Sequence, residues 1–472
     1  MSGSTYSDAA KTEASNMFAF NYPAGLYGSQ NVAFSSSWVP AGSEVAGTAS
    51  TRLPAQIMYM FGFDAFNLTA NCGAKLEIAN VDVMLVLDIT TSMTWYPHND
   101  NVAPVASSRL AGLKSGARIF LDTLLSTSSN EGTLRVGMVP YGGAANVGRI
   151  LKKKNASWIS DTVRIPSRTW NKPGAANRYT LEDRDFNVAG VAVGGNTSGF
   201  TGINQSGTQS ATWGGCVMER YTYTTAVTAT TTTIPADAFD LNVNMVPDAR
   251  DSTKWKLYLP TLAWTRSGTG SSTTTSNNNS IGNTPSSYAQ CTTSEAMNLE
   301  IMKQGSARNE ANISVYGEKI DNLHAVGYTY HDAGMVWGTR LISPNGLFKA
   351  DNVRTDEQTV GRHIIFMTDG DMNTPRDYYS HQGMEQAIPR IGGSDKNASI
   401  ARHNNRLKLL CDAAKAEGIT IWVIAFSTSV DDYGPLDYCA SSGAAYKAPD
   451  SATLSTIFTQ IAGQISKLRL SK

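Results

Sequence analysis

The stretch VDVMLVLDITTSM, residues 81–93, decides the fold. Six of its first seven residues are apolar, with Asp82 as the exception, and such a run predicts a strand buried on both faces of a parallel sheet. Asp88, Thr90 and Ser92 follow that run directly. A carboxylate and two hydroxyls are therefore expected at the carboxyl end of the strand, where open α/β sheets bind their ligands.

Segments on both sides of this strand alternate between strand and helix patterns. LRVGMVPYGG (134–143), RHIIFMTDG (362–370) and ITIWVIAFS (419–427) predict strands. The segments beginning at Ser108, Ala401 and Ser451 have apolar residues at helical spacing and predict helices. Alternation of this kind predicts an α/β fold in which helices flank a central, mostly parallel sheet.

Changes in composition divide the chain into four parts. The N-terminal part begins with an Ala-rich predicted helix and continues with strand-like pieces. A Thr-, Ser- and Asn-rich insertion interrupts the α/β pattern; it is predicted to be partly β, and its run 267–283 predicts a mobile loop. The pattern resumes with a helix-like piece ending near Gly327. The predicted parts are 1–80 (N-terminal segment), 81–143 (first part of the α/β domain), 144–295 (insertion) and 296–472 (second part).

Charge and cysteine content narrow the class of protein. Lys plus Arg and Asp plus Glu both number 39, and a nucleic-acid-binding protein would usually have a basic excess. The five cysteines lie far apart without a CxxC pair, which argues against a zinc site and fits disulfides in an exported protein. The first expected pair is Cys411 with Cys439, and the second is Cys216 with Cys291; Cys72 is left over.

Three separate motifs supply oxygen ligands suited to a hard cation. Asp88, Thr90 and Ser92 end one predicted strand, Thr329 precedes a later segment, and Asp369 in Thr-Asp-Gly ends another strand. Mg²⁺ prefers carboxylate, hydroxyl and water oxygens. Because serine and threonine hydroxyls are neutral, an ion held by this set would keep much of its charge. Such an ion could accept a carboxylate from another molecule.

These motifs resemble the metal-ion-dependent adhesion site of a von Willebrand factor A domain. The pattern consists of Asp-x-Thr-x-Ser after an apolar strand, a loop threonine, and Thr-Asp-Gly after a later strand. The resemblance implies a Rossmann-like sheet over 81–143 and 296–472. It implies Mg²⁺ as the metal, with Mn²⁺ or Ca²⁺ as alternatives. The implied coordinating residues are Asp88, Thr90, Ser92, Thr329 and Asp369.

Longer stretches resemble the TadG-like proteins of the bacterial tight-adherence (Tad/Flp) pilus. They are LVLDITTSM, GYTYHDAGMVWGTRLISP and LDYCASSGAAYKAPDSATLSTIFTQIAGQISKLRLS. The resemblance implies a pilus-associated protein at the bacterial surface or in the periplasm, with a pilin-like segment over 1–80. That family has a membrane helix at its N-terminus, so anchoring through a helix missing from this chain is expected. Thr91 occupies a motif position commonly held by glycine.

Other assignments of the ligands remain open from the sequence. Thr339 and Thr368 are alternatives to Thr329, which is favoured by the family pattern alone. His331 could line the metal site or be an ordinary loop residue. Asp371 begins to extend Asp369 into a calcium-loop pattern, but the later glycine and glutamate of such a loop are missing. Asp183 and Asp185 are a further candidate calcium pair, with a solvated loop as the alternative.

No motif of a common enzyme class occurs in the sequence. It contains no phosphate-binding glycine loop with lysine, no Gly-x-Ser-x-Gly elbow and no His-Glu-x-x-His pair. The expected function is therefore non-enzymatic binding: a divalent metal captures a carboxylate on another pilus protein or on a host or other surface. The alternative is a structural minor pilin, or a tip or assembly factor, in which the metal only stabilises the loops.

Overall fold

A computed structural model describes residues 8–39, 44–55, 57–75, 80–95, 108–128, 132–170, 179–204, 207–222, 227–264, 275–276, 290–353, 360–427 and 433–468. The helices are α1 (Asp8–Asn21), α2 (Arg109–Thr127), α3 (Gly148–Asn155), α4 (Glu310–Asp321), α5 (His331–Ile342), α6 (Lys349–Asn352), α7 (Lys396–Ala416), α8 (Gly434–Cys439) and α9 (Ser451–Leu468). None of these helices has the length and apolar content needed to cross a bilayer.

The strands range from two to eleven residues in length. They are β1 (Gln30–Val39), β2 (Glu44–Pro54), β3 (Ala65–Lys75), β4 (Asn80–Asp88), β5 (Thr133–Tyr141), β6 (Thr162–Trp170), β7 (Tyr179–Asn187), β8 (Phe200–Thr201), β9 (Thr208–Gln209), β10 (Val217–Met218), β11 (Lys256–Leu257), β12 (Thr275–Ser276), β13 (Met297–Gln304), β14 (Ala307–Arg308), β15 (Val360–Thr368), β16 (Tyr379–Ser380), β17 (Gly383–Met384), β18 (Ile419–Phe426) and β19 (Ala445–Ala448).

A seven-stranded sheet forms the centre of the molecule, in the order β14-β13-β5-β4-β15-β18-β19. Strands β5, β4, β15, β18 and β19 run parallel to one another, and β13 pairs antiparallel with β5. Leu87 of β4 is paired with Met367 of β15, so the residues that follow these two strands emerge side by side. The predicted fold class, an α/β fold with a mostly parallel sheet flanked by helices, is confirmed.

The central position of β4 explains its unusual composition. All nine of its residues are buried, because the sheet continues on both sides and helices cover both faces. The one charged residue within the apolar run, Asp82, is neutralised by Arg135 on β5. The guanidinium donates two hydrogen bonds to the carboxylate, from Nε at 2.7 Å and Nη2 at 2.6 Å.

Two apolar cores lie on opposite faces of the sheet. Alternate β4 residues such as Val83 and Leu85 pack with α2, α4 and α9, while Met84 and Val86 face α5. All twelve residues of α5 are buried, since α7 and the insertion cover the parts of the helix that are turned away from the sheet. Trp255 of the insertion packs on Trp337 of α5, with their ring centroids 5.1 Å apart.

The region after residue 296 was predicted to begin with a helix-like piece that ends near Gly327, and the structure differs from this prediction. It begins with β13 and continues through the short β14 into α4, which ends at Asp321. In β13 only Met297, Met302 and Lys303 are buried. Because most of this strand is partly exposed, its apolar residues do not follow the alternation that would have identified a strand.

The N-terminal part and the insertion have sheets of their own. Helix α1 contacts a three-stranded antiparallel sheet of β1, β2 and β3. The insertion contains a three-stranded sheet of β6, β7 and β12 and several two-residue strands. Apart from β12, the predicted mobile loop at 267–283 lies outside the described residues.

Both expected disulfides are present in the structure. Cys216 is bonded to Cys291, 75 residues later, and Cys411 of α7 is bonded to Cys439 of α8. Cys72 lies exposed on β3 without a disulfide partner. Disulfides fit a protein that reaches an oxidising compartment.

Candidate metal site

The turn that follows β4 is organised by its last residue. Asp88 is fully buried, and its Oδ1 accepts a hydrogen bond of 2.8 Å from the backbone N–H of Thr90. Its other oxygen, Oδ2, accepts from the Thr368 hydroxyl at 2.8 Å. The bond from the Thr90 N–H to Asp88 Oδ1 holds the turn and directs the side chains of Thr90 and Ser92 to the same side.

The other predicted ligands meet at the same point. The Thr90 and Ser92 hydroxyl oxygens are 3.0 Å apart, and Ser92 donates to Asp369 Oδ1 at 2.9 Å. The Thr329 hydroxyl lies 3.4 Å from that of Thr90. The structure therefore brings Asp88 together with these four residues, although the chain separates the first from the last by 281 positions.

Thr91 fits at the position where the family motif commonly has glycine. Its backbone N–H and its hydroxyl both lie 3.1 Å from the carbonyl oxygen of Gly327 and donate to it. Its φ is negative, so the turn does not need the conformational freedom of glycine. The two bonds attach the turn after β4 to the loop that carries Thr329.

A buried arginine that the sequence motifs did not reveal also reaches the site. Arg109, the first residue of α2, donates from Nη1 to Asp369 Oδ2 at 3.0 Å, and its side chain is 1% exposed. A cation in the first turn of a helix is opposed by the helix dipole. The unfavourable position of Arg109 in the predicted helix was the available signal that it contacts a carboxylate elsewhere.

The two buried carboxylates repel each other. Burial, and then the nearby Asp369, raise the pKa of Asp88 from 3.8 to about 7. Burial also raises the pKa of Asp369, although Arg109 acts in the opposite direction. Arg109 thus compensates one of the two carboxylates, which leaves the group short of positive charge when both are ionised.

This set of donors fits a hard divalent cation. Both carboxylates are buried, while Ser92 is half-buried and opens the cluster toward the surface. Two carboxylates with three neutral hydroxyls are the oxygen ligands that Mg²⁺ takes in proteins, and Mn²⁺ or Ca²⁺ accepts the same types. A divalent ion would also relieve the repulsion between Asp88 and Asp369.

The structure separates the alternative threonines and places His331. Thr339 lies within α5 and donates to the carbonyl of Met335 at 2.9 Å, away from the cluster. Thr368 supports Asp88, as described above. His331 begins α5 behind the ligands, with Nε2 2.9 Å from the Thr368 hydroxyl. Burial lowers the pKa of His331 to about 4, so it is neutral at physiological pH.

The candidate calcium pair in the insertion has another partner. Asp183 and Asp185 lie on β7 and face Arg164 of β6, at 3.7 Å and 2.9 Å. All three side chains are at least one-third exposed. The two carboxylates therefore form a surface ion-pair group, which agrees with the solvated alternative.

We expect metal binding to become stronger as the pH rises from about 5 to about 8. The folded metal-free protein holds a proton on Asp88 more tightly than the unfolded chain does, so its stability falls as the pH rises between 3.8 and about 7. Metal must displace this proton at the lower pH. The measurement is the increase in melting temperature caused by Mg²⁺ across this range. An equal increase in melting temperature at the low and the high end of this pH range would contradict the expectation. In Asp88→Asn, Mg²⁺ should not raise the melting temperature at any pH in this range.

No protein family and no curated protein sequence matches the chain. Among solved structures, the PilB minor pilin from Streptococcus sanguinis is similar over 93% of this chain and 78% of that one, at 12% identity and a TM-score of 0.37. The von Willebrand factor domain of the type V pili tip protein Mfa5 from Porphyromonas gingivalis is similar over 84% and 97%, at 12% identity and a TM-score of 0.33.

The structure itself has a mostly parallel sheet between two helical layers, with the candidate ligands at the carboxyl ends of β4 and β15. The pilus adhesin SpaC from Lactobacillus rhamnosus GG is similar over 93% of the chain, at 9% identity and a TM-score of 0.35. The similarity covers 34% of SpaC, about a third of its length. Function must therefore be argued from the site itself.

Proposed function

We propose that the protein is a surface-exposed, non-enzymatic binding protein of a bacterial pilus. It would use a divalent cation to capture an acidic group on a partner, and Mg²⁺ is the favoured cation. The observation that carries the proposal is the convergence of five oxygen-bearing side chains at the carboxyl ends of two neighbouring strands. These residues are Asp88, Thr90, Ser92, Thr329 and Asp369.

The chemistry of the site favours capture of a carboxylate. When bound, the cation supplies an electrophilic centre for an anionic oxygen. Asp88 and Asp369 would hold it, and the hydroxyls of Thr90, Ser92 and Thr329 would orient it without adding charge. Arg109 already compensates one carboxylate at 3.0 Å. The protein ligands therefore do not fully neutralise the charge of the ion, and a carboxylate from another molecule would complete the neutralisation.

The pilus assignment rests on the sequence resemblance to TadG-like proteins, and the two disulfides support an extracytoplasmic location. Candidate partners are other pilus proteins, or a host or surface molecule that presents a carboxylate. The equal numbers of acidic and basic residues offer nucleic acid no general attraction. Phosphate chemistry would also need a base and a phosphate-binding cation beside the metal, and Arg109 is committed to Asp369.

A structural role as a minor pilin is the second candidate. The N-terminal part exposes several large apolar side chains, which fits packing against another subunit. Their exposed fractions are 63% for Met17, 86% for Phe20, 74% for Ile57, 76% for Met60 and 70% for Phe61. On this view, the metal would only stabilise the loops around β4 and β15.

The deciding experiment is calorimetric titration of Mg²⁺ and Mn²⁺ into metal-stripped protein. We expect saturable binding at one site in the wild type and none in Asp88→Asn, which keeps the shape of the side chain but removes its charge. Asp122→Asn, an exposed position on α2, is the matched control and should bind like the wild type. Absence of binding in the wild type would overturn the metal-dependent proposal.

Capture and loop stabilisation are then separated with a defined probe. Immobilised peptides with one aspartate, and the same peptides with asparagine, are tested with Mg²⁺ and with EDTA. Retention that requires both the aspartate and Mg²⁺ supports the binding function. If Mg²⁺ raises the melting temperature but the peptides are not retained, the result would favour the structural role as a minor pilin.

A further inference from the structure

A second group of potential metal ligands lies apart from the Mg²⁺ site. Asp332 is in the first turn of α5, His403 is on α7, and His381 lies between β16 and β17. One ligand atom from each lies within 4.8 Å of the others, and the residues are 2%, 0% and 3% exposed, respectively. Three distant parts of the chain thus place nitrogen and oxygen donors together in the interior.

Two of the three separations between the ligand atoms are compatible with a tetrahedral site. Asp332 Oδ2 is 2.8 Å from His403 Nδ1 and 3.5 Å from His381 Nε2. Ligand bonds of about 2.0–2.1 Å to Zn²⁺ correspond to separations of roughly 3.4 Å between neighbouring ligands in a tetrahedron. The two measured separations lie on either side of this value, so small side-chain shifts would suffice.

Protein contacts alone leave the cluster poorly satisfied. Asp332 Oδ1 is buried and has no hydrogen-bond partner among the described residues, and neither do His381 Nδ1 and His403 Nε2, the ring nitrogens other than those nearest to Asp332 Oδ2. The carboxylate oxygen Oδ2 contacts His403, whereas the separation of 3.5 Å from His381 is long for a hydrogen bond. A metal ion could engage both imidazoles and the carboxylate at the same time.

A neighbouring arginine does not replace the missing partner. Arg406 Nε is 3.6 Å from Asp332 Oδ2, beyond good hydrogen-bond distance. The same guanidinium donates from Nη2 to Asp240 of the insertion, which directs its charge away from Asp332. Asp332 therefore remains available as a ligand.

We propose that Asp332, His381 and His403 bind one Zn²⁺ ion as a structural site that connects α5, α7 and the β16–β17 hairpin. Two imidazoles and one carboxylate are borderline ligands that suit Zn²⁺ better than Mg²⁺. The absence of paired cysteines in the sequence was evidence against a zinc site made of cysteine ligands. A site made of histidine and aspartate does not need them, and its members are separated by 49 and 22 positions.

The test is metal analysis of the full chain, purified without chelator and with any histidine tag removed. We expect about one equivalent of zinc. After exchange with Co²⁺, the protein should show the intense visible absorption of a tetrahedral cobalt site. His381→Ala and His403→Ala should lose both signals. His324→Ala, an exposed histidine, should retain them.

The Asp88→Asn variant keeps this test independent of the Mg²⁺ site, because it should lose Mg²⁺ binding and retain zinc. If the histidine variants fail to fold, the cobalt spectrum and zinc content of the wild type decide the question. A folded wild type that binds neither metal would overturn the proposal. Equal zinc content in folded His403→Ala would also overturn it.

Discussion

Replacing Arg109 with methionine should lower the folding stability of the metal-free protein and increase its affinity for Mg²⁺. The guanidinium lies 3.0 Å from Asp369 Oδ2, and both side chains are almost fully buried. Removing one member of a buried ion pair typically costs about 3–5 kcal/mol, because it leaves the other charge without a partner. Asp369 would then lose its ion-pair partner beside the buried Asp88, and the metal-free protein would be less stable.

Mg²⁺ binding should change in the opposite direction in this variant. Arg109 competes with the ion for Asp369 and repels it, so removing the arginine should increase affinity at least about tenfold, equivalent to about 1.4 kcal/mol. Calorimetric titration gives the affinity, and chemical denaturation with and without Mg²⁺ gives both stabilities. The increase in stability on adding Mg²⁺ should be larger in Arg109→Met than in the wild type.

Arg135→Met is the matched control for this prediction. Arg135 pairs with Asp82, which is in the same strand as Asp88, and that pair is also buried, with side chains 9% and 1% exposed. Its loss should destabilise the protein comparably without changing Mg²⁺ affinity. If both variants changed the affinity equally, general loosening of the sheet would explain the result, and the specific role of Arg109 would be rejected.

Arg340→Met should cause the largest loss of stability on the other face of the sheet. Arg340 of α5 is fully buried and donates to Glu219 of the insertion at 2.8 Å. Its guanidinium also lies over Trp255 and Trp337, 5.2 Å and 4.7 Å from the ring centroids. Methionine would keep much of the apolar volume but remove the hydrogen-bonded cation of the buried Glu219, a loss that typically costs about 3–5 kcal/mol.

The measurement for Arg340→Met is the free energy of unfolding from chemical denaturation. Arg250→Met is the control within the insertion, because its pair with Asp248 is exposed, with side chains 61% and 47% accessible. An exposed pair contributes about 0–1 kcal/mol. Similar losses in the two variants would show that the contact between Arg340 and Glu219 does not stabilise the docking of the insertion on α5.

The sequence revealed those features in which local pattern and final environment agree. β4 is buried on both sides and is correspondingly apolar throughout, so its strand was predictable. Asp88 and Asp369 were recognisable because each directly follows such a strand. Their proximity followed from the rule that neighbouring parallel strands place their carboxyl ends at one edge of the sheet.

Features determined by distant contacts were not predictable in this way. Helix α5 is buried on every side, so it has no solvent-exposed face to indicate its orientation. Arg109 meets Asp369 across 260 positions of sequence, and no spacing rule connects them. The cluster of Asp332, His381 and His403 likewise depends on how a hairpin folds over two helices. Apart from β6 and β7, the strands described in the insertion have two residues each and are too short to produce a periodic pattern.

The disulfide between Cys216 and Cys291 has a consequence for proteolysis. It closes a covalent loop of the chain that includes the Thr- and Ser-rich stretch. A protease that cuts once between these cysteines would leave the two fragments joined. Both ends of the cut chain would remain attached to the same molecule until the bond is reduced. A single cut in the polar segment between these cysteines would thus release neither fragment.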